Sequence, residues 1–386
     1  MNVKCPICSG EHKKVMTLLS TNLKVMGSSF PNTKSYIVSC DYCGTVYIDT
    51  DATQEDFNNY YNSGFSKTIS YYEAFGEKIT NDYFNNIYQG IKGYITPESQ
   101  ILDMGAGHGE FSKYLLDLGY KNILAIDPSE KNCEDIKNYG LNYIQNDSFI
   151  NDDTLKEKFD LIIFSHALEH ILDFQHSVEN IKSMLKKDAI VYIELPDSKK
   201  YCNVNFPSFF FFTYEHLIHF TQETFVNFAK SYGLDLVQSN TFLKCESYYV
   251  INGIFKNNGK SEPIQYTDET INAILHYLEF SKDKLKPVID RLEKSQEKLI
   301  LWGIGASTAQ LLNETFDKCN VVALIDSNPS RQSIEFTIGN KDLIVKDPIS
   351  LTDLEATIVV LPIMYKNAII SQIQSMGFTN KIITLE

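Results

Sequence analysis

No run of apolar residues in this 386-residue chain reaches the length of a bilayer span, so no transmembrane helix is expected. The N-terminus also lacks the charged-then-apolar pattern of an export signal, which predicts a protein that stays in the cytoplasm. A positive surplus is missing too. The 35 Lys and Arg stand against 49 Asp and Glu, a formal charge of −14, which argues against a nucleic-acid footprint because that needs a basic face. It does not exclude a phosphate-bearing small molecule, since a local Arg or Lys pocket vanishes in a sum. What remains, 43% hydrophobic and 22% charged residues, is ordinary for a globular chain long enough for two or three domains.

Four of the eight cysteines fall in two Cys-x-x-Cys knuckles, Cys5-Pro-Ile-Cys8 and Cys40-Asp-Tyr-Cys43. Two such turns can place four thiolates tetrahedrally about one zinc ion, and with all four positions filled by protein the metal is structural. Gly10 and Gly44 follow the knuckles, where a tight turn tolerates little else. Two disulfides or four unrelated thiols are the alternative. Removing zinc is expected to unfold this segment without removing the chemistry directly.

Beyond the knuckles the chain alternates apolar runs with helical patterns, the sign of a parallel α/β sheet. Asn122–Asp127, Phe159–Ser165 and Ala189–Leu195 read as buried strands. From Asp268 to Lys298 the spacing of Ile271, Ile274, Leu275 and Leu278 predicts helix, with Pro287 expected to split it into two pieces. A second α/β unit follows, with strands at Leu299–Gly303, Val321–Asp326 and Ile358–Leu361. The two units repeat one plan, a glycine turn followed by a strand-end acid: Gly105 with Asp127, then Gly303 with Asp326. The expected architecture is α/β throughout, with a zinc module over 1–60, a central Rossmann-like domain over 61–260, and a helical linker with a second Rossmann-like domain over 261–386.

Ile101-Leu-Asp-Met-Gly-Ala-Gly-His-Gly109 is a strand running into a glycine-rich turn and then a helix, Glu110 to Leu118. Gly105 and Gly107 let backbone approach a ligand at the helix N-terminus. A bare glycine turn also suits a dinucleotide, so the acids decide. Asp103, inside the strand end, repels a pyrophosphate but suits a cationic, amino-acid-bearing ligand. Asp127, followed by Pro128, can accept both ribose hydroxyls from the end of the next strand. After the short strand Asn142–Ile144 comes Asp147, able to accept an adenine amino group, with Ser148 beside it and Phe149 placed to cover the base. His108 reads as a helix-start residue.

Taken together these residues resemble class I S-adenosylmethionine-dependent methyltransferases, and Phe159-Asp-Leu-Ile-Ile-Phe-Ser-His-Ala-Leu-Glu-His170 resembles that family's fourth strand and following turn. The resemblance covers about residues 95–255 and implies S-adenosylmethionine as cofactor, with Ser165 in the cofactor set. A nucleotide-binding domain without methyl transfer is the alternative.

Three stretches reach the carboxyl edge of the sheet, where such folds bind ligands: Ser165–His170, Glu194–Pro196, and the excursion from Asp197 to Phe220. The last holds four consecutive phenylalanines, Phe209 to Phe212, which either wall a pocket or form a buried connection against the C-terminal part. Glu215-His216 is the pair expected to carry the chemistry, a carboxylate raising the basicity of an imidazole. In the alternative, His216 and His219 only bond loop backbone.

An N-terminal four-cysteine module, a central cofactor domain and a C-terminal Rossmann-like domain with Leu301-Trp-Gly-Ile-Gly-Ala-Ser307 and Asp326-Ser-Asn-Pro329 together resemble the three-domain sugar C-methyltransferases. The resemblance implies a substrate that is a nucleotide-linked keto-deoxy sugar, a histidine base, and nucleotide binding by the last domain. Glu215 and His216 match that family's Tyr-x-Glu-His, whereas its tyrosine position is Thr213, with Tyr214 one place later. His170 matches a second histidine, and Tyr60–Ser66 falls where the family has an aromatic, substrate-facing segment. The departure at Thr213 keeps open an oxygen-directed transfer to a sugar or polysaccharide precursor. The third fingerprint glycine is missing from Gly303-x-Gly305-x-x-Thr308, so a docking domain without ligand remains the alternative there. A non-catalytic binding protein would not need Asp103, Asp127 and Asp147, and a nucleic-acid methyltransferase is opposed by Ser165-His166-Ala167 in place of an Asn-Pro-Pro-Tyr-like motif. Neither a membrane nor a nucleic-acid partner is expected.

Overall fold

The computed structural model describes residues 4–19, 35–62, 69–146, 152–203, 208–213, 215–305, 308, 311–312, 315–351, 355–362 and 365–385. Three sheets organise them. The first is antiparallel: β1 (Lys13–Leu19), β2 (Ser35–Cys40) and β3 (Val46–Asp49) form a meander beside the cysteine knuckles. Its fourth strand comes from far along the chain. β9 (Ile218–His219) pairs with β3 through Val46 opposite His219.

The second sheet has seven strands. β4 (Ile101–Met104), β5 (Ile123–Asp127), β6 (Asn142–Gln145), β7 (Phe159–Ser165) and β8 (Leu185–Pro196) are parallel. β11 (Tyr248–Asn257) adds to β8 antiparallel, and β10 (Leu234–Lys244) closes the edge. The strand order is β10-β11-β8-β7-β4-β5-β6. The central strands β4 and β7 are buried on both faces, which is why they read as continuous apolar runs rather than alternating ones. Helices α4 (Glu110–Asp117) and α5 (Glu130–Asn138) follow β4 and β5. Parallel order sends the carboxyl ends of β4, β5, β7 and β8 to one edge, so residues separated by up to ninety positions meet there.

A long helix, α8 (Glu269–Ser295), leads to the third sheet. Pro287 sits inside α8 and does not divide it, contrary to the two-piece linker expected. Proline's ring frees the carbonyl of Asp283, and both residues are solvent-exposed, so water satisfies that group and the helix continues. The third sheet runs β14 (Glu335–Ile338), β15 (Lys341–Lys346), β13 (Val321–Ile325), β12 (Leu299–Trp302), β16 (Thr357–Val360), β17 (Ile382–Thr384). All its pairings are parallel except β14 with β15.

The phenylalanine run is a buried connection. Phe209, Phe211 and Phe212 are fully buried, and Phe211 stacks on Tyr201 at 3.9 Å with rings 7° apart. The Phe209 amide donates to Ser281 Oγ (3.1 Å) and the Phe211 amide to Tyr277 Oη (3.3 Å), both on α8. Burying each ring contributes about 1.5–3 kcal/mol. The run therefore ties the loop before His216 to α8.

Candidate functional site

The four knuckle cysteines converge. Cys5 Sγ lies 3.5 Å from Cys43 Sγ, and Cys8 Sγ 3.5 Å from Cys40 Sγ; all four sulfurs fall within 4.8 Å of one another, and all four are free thiols. Each knuckle turns on a backbone bond, Ser9 N to Cys5 O (2.9 Å) and Gly44 N to Cys40 O (3.0 Å). Mutual hydrogen bonding and burial push the Cys5 and Cys43 thiols up while Cys40 is held down. A cation is what lets four crowded sulfurs ionise together, so the set suits zinc, held for structure.

At the carboxyl edge of the second sheet, β4 ends in the glycine turn. Gly105 N and Ala106 N both donate to Ile126 O (2.8 and 3.0 Å), locking the turn to β5. Gly105 adopts φ 70°, and a Cβ there would stand 2.6 Å from Ala167 Cβ. Gly107, at φ 55°, has open space where its Cβ would be, as a ligand-facing backbone requires. Asp103 is buried and accepts from Ser112 Oγ at 2.7 Å. Burial pushes its carboxyl up to about 6, with Ser112 opposing and Asp127 adding to the rise. Asp127 accepts from Gly107 N (2.8 Å), Ser129 N (2.9 Å) and Asn132 Nδ2 (3.0 Å), and burial raises it against those bonds. Its carboxylate thus ties the turn to the start of α5, with Pro128 between. His108 pairs with Asp135 on α5 at 2.7 Å. Asp147, Ser148 and Phe149 lie outside the described residues, as does Tyr214.

Beyond β7 and β8 lies a buried polar centre. His166, at φ 55°, bridges two buried carboxylates: Nδ1 lies 3.3 Å from Glu169 Oε1 and Nε2 3.1 Å from Glu194 Oε1. Glu194 also accepts from Tyr83 Oη, and from Tyr192 Oη at 2.6 Å; Tyr83 Oη is 3.2 Å from Ser165 Oγ. Burial alone would raise Glu194, but His166 and Lys244 outweigh it and hold the carboxyl below its usual range. Lys244 Nζ donates to Tyr248 Oη at 3.2 Å and lies over the rings of Tyr71, Tyr83 and Tyr248. Burial brings Lys244 down to about 8 despite Glu194.

His170 and His216 meet edge-to-face at 5.1 Å. The carboxylate facing them is Glu169, whose ligand-capable oxygen lies within 4.8 Å of both rings' nitrogens. Burial would raise Glu169, yet the hydrogen bond from His166 and the charges of His170, His166 and His216 hold it near 2. Burial and the neighbouring His170 lower His216 to about 3, with Glu169 opposing. His216 Nδ1 and Glu169 Oε2 are buried and lack a hydrogen-bond partner. Glu215, expected to support His216 by adjacency, is half-buried, and Glu169 from the fourth-strand turn is a carboxylate that stands beside the His216 ring. Tyr61 Oη lies 3.4 Å from His170 Nδ1, bringing part of the Tyr60–Ser66 segment to the site, while 63–66 lie outside the described residues. His219 is buried on β9 with Tyr201 Oη at 3.1 Å.

His166, Glu169, Tyr83, Lys244 and Tyr248 were not singled out from the sequence. His166 and Glu169 stood inside the quoted Ser165–His170 turn, and the helical spacing of His166 and Glu169 was the available signal. Nothing local marks Tyr83 or Lys244.

Residues 79–239 match the family described as methyltransferase domain. Among curated proteins, the ubiquinone biosynthesis O-methyltransferase of Pelagibacter ubique is 31% identical over 101 residues, which are 24% of this chain and 40% of that protein. The chain thus spans about two fifths of the length of that relative. Among solved structures, the 1,6-didemethyltoxoflavin-N1-methyltransferase of Burkholderia thailandensis, with S-adenosylhomocysteine bound, is similar at 14% identity and TM-score 0.40 over 56% of this chain and 95% of that one. A SAM-dependent methyltransferase from Archaeoglobus fulgidus is similar at 17% identity and TM-score 0.37, over 48% and 100%. The matched span is α/β, built on the mixed seven-stranded sheet. Its glycine turn, Asp103 and Asp127 are the groups that would hold the cofactor, and no helix among the described residues is long and apolar enough to cross a membrane.

Proposed function

We propose that this chain transfers a methyl group from S-adenosylmethionine to a small carbohydrate, at a carbon beside the ketone of a nucleotide-linked keto-deoxy sugar, with His216 as base. The observation that carries this reading is the group of buried Glu169 and half-buried His170 and His216 at the sheet edge that also holds the glycine turn and Asp127. S-adenosylmethionine supplies an electrophilic methyl carbon. His216, neutral at pH 7 because burial disfavours its charge, takes the proton from the carbon next to the ketone. Glu169 stays ionised and stabilises the imidazolium that forms. His166 and Glu194, each held by several partners, fix Glu169 in place. The resulting electron-rich carbon would form its bond to the methyl carbon as the sulfonium carbon–sulfur bond breaks and S-adenosylhomocysteine leaves, so orienting substrate and cofactor would supply most of the rate.

The third sheet suits the nucleotide part. Asp326 follows β13 and accepts from Asn328 N at 2.7 Å. Arg331 lies 3.4 Å from Asp326 and against Gly305, whose added Cβ would stand 3.1 Å from the guanidinium carbon. A cation laid over a glycine turn is suited to a diphosphate.

A second reading, oxygen-directed transfer, is favoured by the O-methyltransferase relative. The two separate in deuterium oxide with a thymidine-diphosphate-linked 4-keto-6-deoxy sugar and no methyl donor. Carbon methylation requires solvent deuterium to enter beside the ketone, at a rate His216→Gln lowers at least a hundredfold. No exchange in this mixture, with methyl transfer once S-adenosylmethionine is added, points to oxygen, and wild-type exchange in His216→Gln removes the base.

A further inference from the structure

Glu169 Oε2 and His216 Nδ1 are both buried without a partner, although they belong to neighbouring side chains. Leaving a buried carboxylate oxygen unpaired is unfavourable. His170 Nε2 stands 3.9 Å from Glu169 Oε1, too far for a hydrogen bond, and one ligand-capable atom from each of Glu169, His170 and His216 lies within 4.8 Å of the others. Three donors this close can draw in around one ion at about 2.0–2.2 Å from each. The outer arrangement fits as well. Tyr61 Oη holds His170 Nδ1, leaving Nε2 for a metal, and His166 steadies Glu169 through Oε1; ligands braced from behind in this way are typical of metal sites.

We propose that Glu169, His170 and His216 form a second metal site, distinct from the cysteine knuckles, for a first-row divalent transition ion such as Zn²⁺ or Co²⁺. Two imidazoles and one carboxylate select this class over Mg²⁺ or Ca²⁺. Three protein ligands leave a position open to solvent or substrate. An imidazole bound to the ion keeps its remaining proton and has no lone pair left for substrate, so occupation silences His216 as a base. The silencing rests on the function proposed above; the binding does not.

The test uses the full chain with zinc retained in its knuckles, titrated with Co²⁺ and analysed for bound metal per chain. One further equivalent is expected, with weak visible bands and none of the intense near-ultraviolet absorption of a cobalt thiolate. Glu169→Gln and His170→Asn should each weaken that equivalent at least tenfold and keep the zinc. His170 is a quarter exposed, so its variant decides if the buried Glu169 change prevents folding. A single metal per chain in the native protein, or a second one that persists in both variants, overturns the site. Co²⁺ should also slow deuterium exchange into the keto sugar at least tenfold, reversed by a chelator too weak to strip the knuckles. Faster exchange with Co²⁺ overturns the silencing and with it the base role, while the binding result still stands on its own.

Discussion

Asp103 is an acid whose burial works against its charge, and a cationic ligand relieves that conflict. Its carboxyl is raised from 3.8 to about 6, so between those values the folded protein holds a proton that the unfolded chain has lost. The contribution of this group to stability therefore falls as pH rises from about 4 to 6. Binding a cation favours the ionised form, so S-adenosylmethionine affinity should rise up to tenfold per pH unit from 5 towards 6 and level off above 7. Calorimetric titration across that range checks it, and Asp103→Asn should flatten the curve; an equally steep curve in the variant would assign the proton elsewhere. Asp127 already accepts three hydrogen bonds, yet it stands where a ribose would sit. Asp127→Ala should weaken cofactor binding by about a hundredfold, from two charge-assisted bonds at about 1.5 kcal/mol each. Unchanged affinity by calorimetry would remove its ribose role.

Among elements, the two-residue strand β9 has consequences beyond its length. Val46 pairs with His219, Ile48 N donates to Leu217 O at 2.8 Å, and Leu217 N donates to Glu169 O at 2.7 Å. The knuckle sheet therefore grips the residues that immediately follow His216. Losing zinc is expected to unfold the N-terminal segment without removing the chemistry directly, and these bonds give it an indirect route to the candidate base. Stripping zinc with a strong chelator should raise amide hydrogen exchange at Ile48 and Leu217 by tenfold or more and leave Ile101 protected on the central sheet. Equal protection before and after would uncouple the two. Much at this scale was legible. Strand β7 matched its apolar run to the residue, because a strand buried on both faces announces itself locally. Pro287 misled, since whether a freed carbonyl finds water depends on which side of α8 faces the core.

For the whole molecule, α8 holds the parts together. Tyr277 and Ser281 receive the backbone of the phenylalanine run, and Lys199 reaches Glu269 at 2.7 Å. Ending the chain near residue 260 uncovers Phe209, Phe211 and Phe212, whose burial at about 1.5–3 kcal/mol each is comparable with a domain's net stability of about 5–15 kcal/mol. Such a truncation should aggregate on size exclusion, whereas one near residue 298, which keeps α8, should leave the second sheet folded. A monodisperse, cofactor-binding chain ending at 260 would show that α8 is dispensable.

The sequence by itself determined the cysteine knuckles, the glycine turn and the acids Asp103 and Asp127, because each is set by a few neighbouring residues and by what backbone geometry permits there. Sheet order decided the rest. His166, Glu194 and Lys244 come from separate segments and share a network because β7, β8 and β10 belong to one sheet, and Tyr83 joins them from the helix Glu77–Ile91. The same applies to Glu169 standing beside His216: adjacency along a chain fixes spacing, while facing across a site is fixed by packing, which no local pattern records.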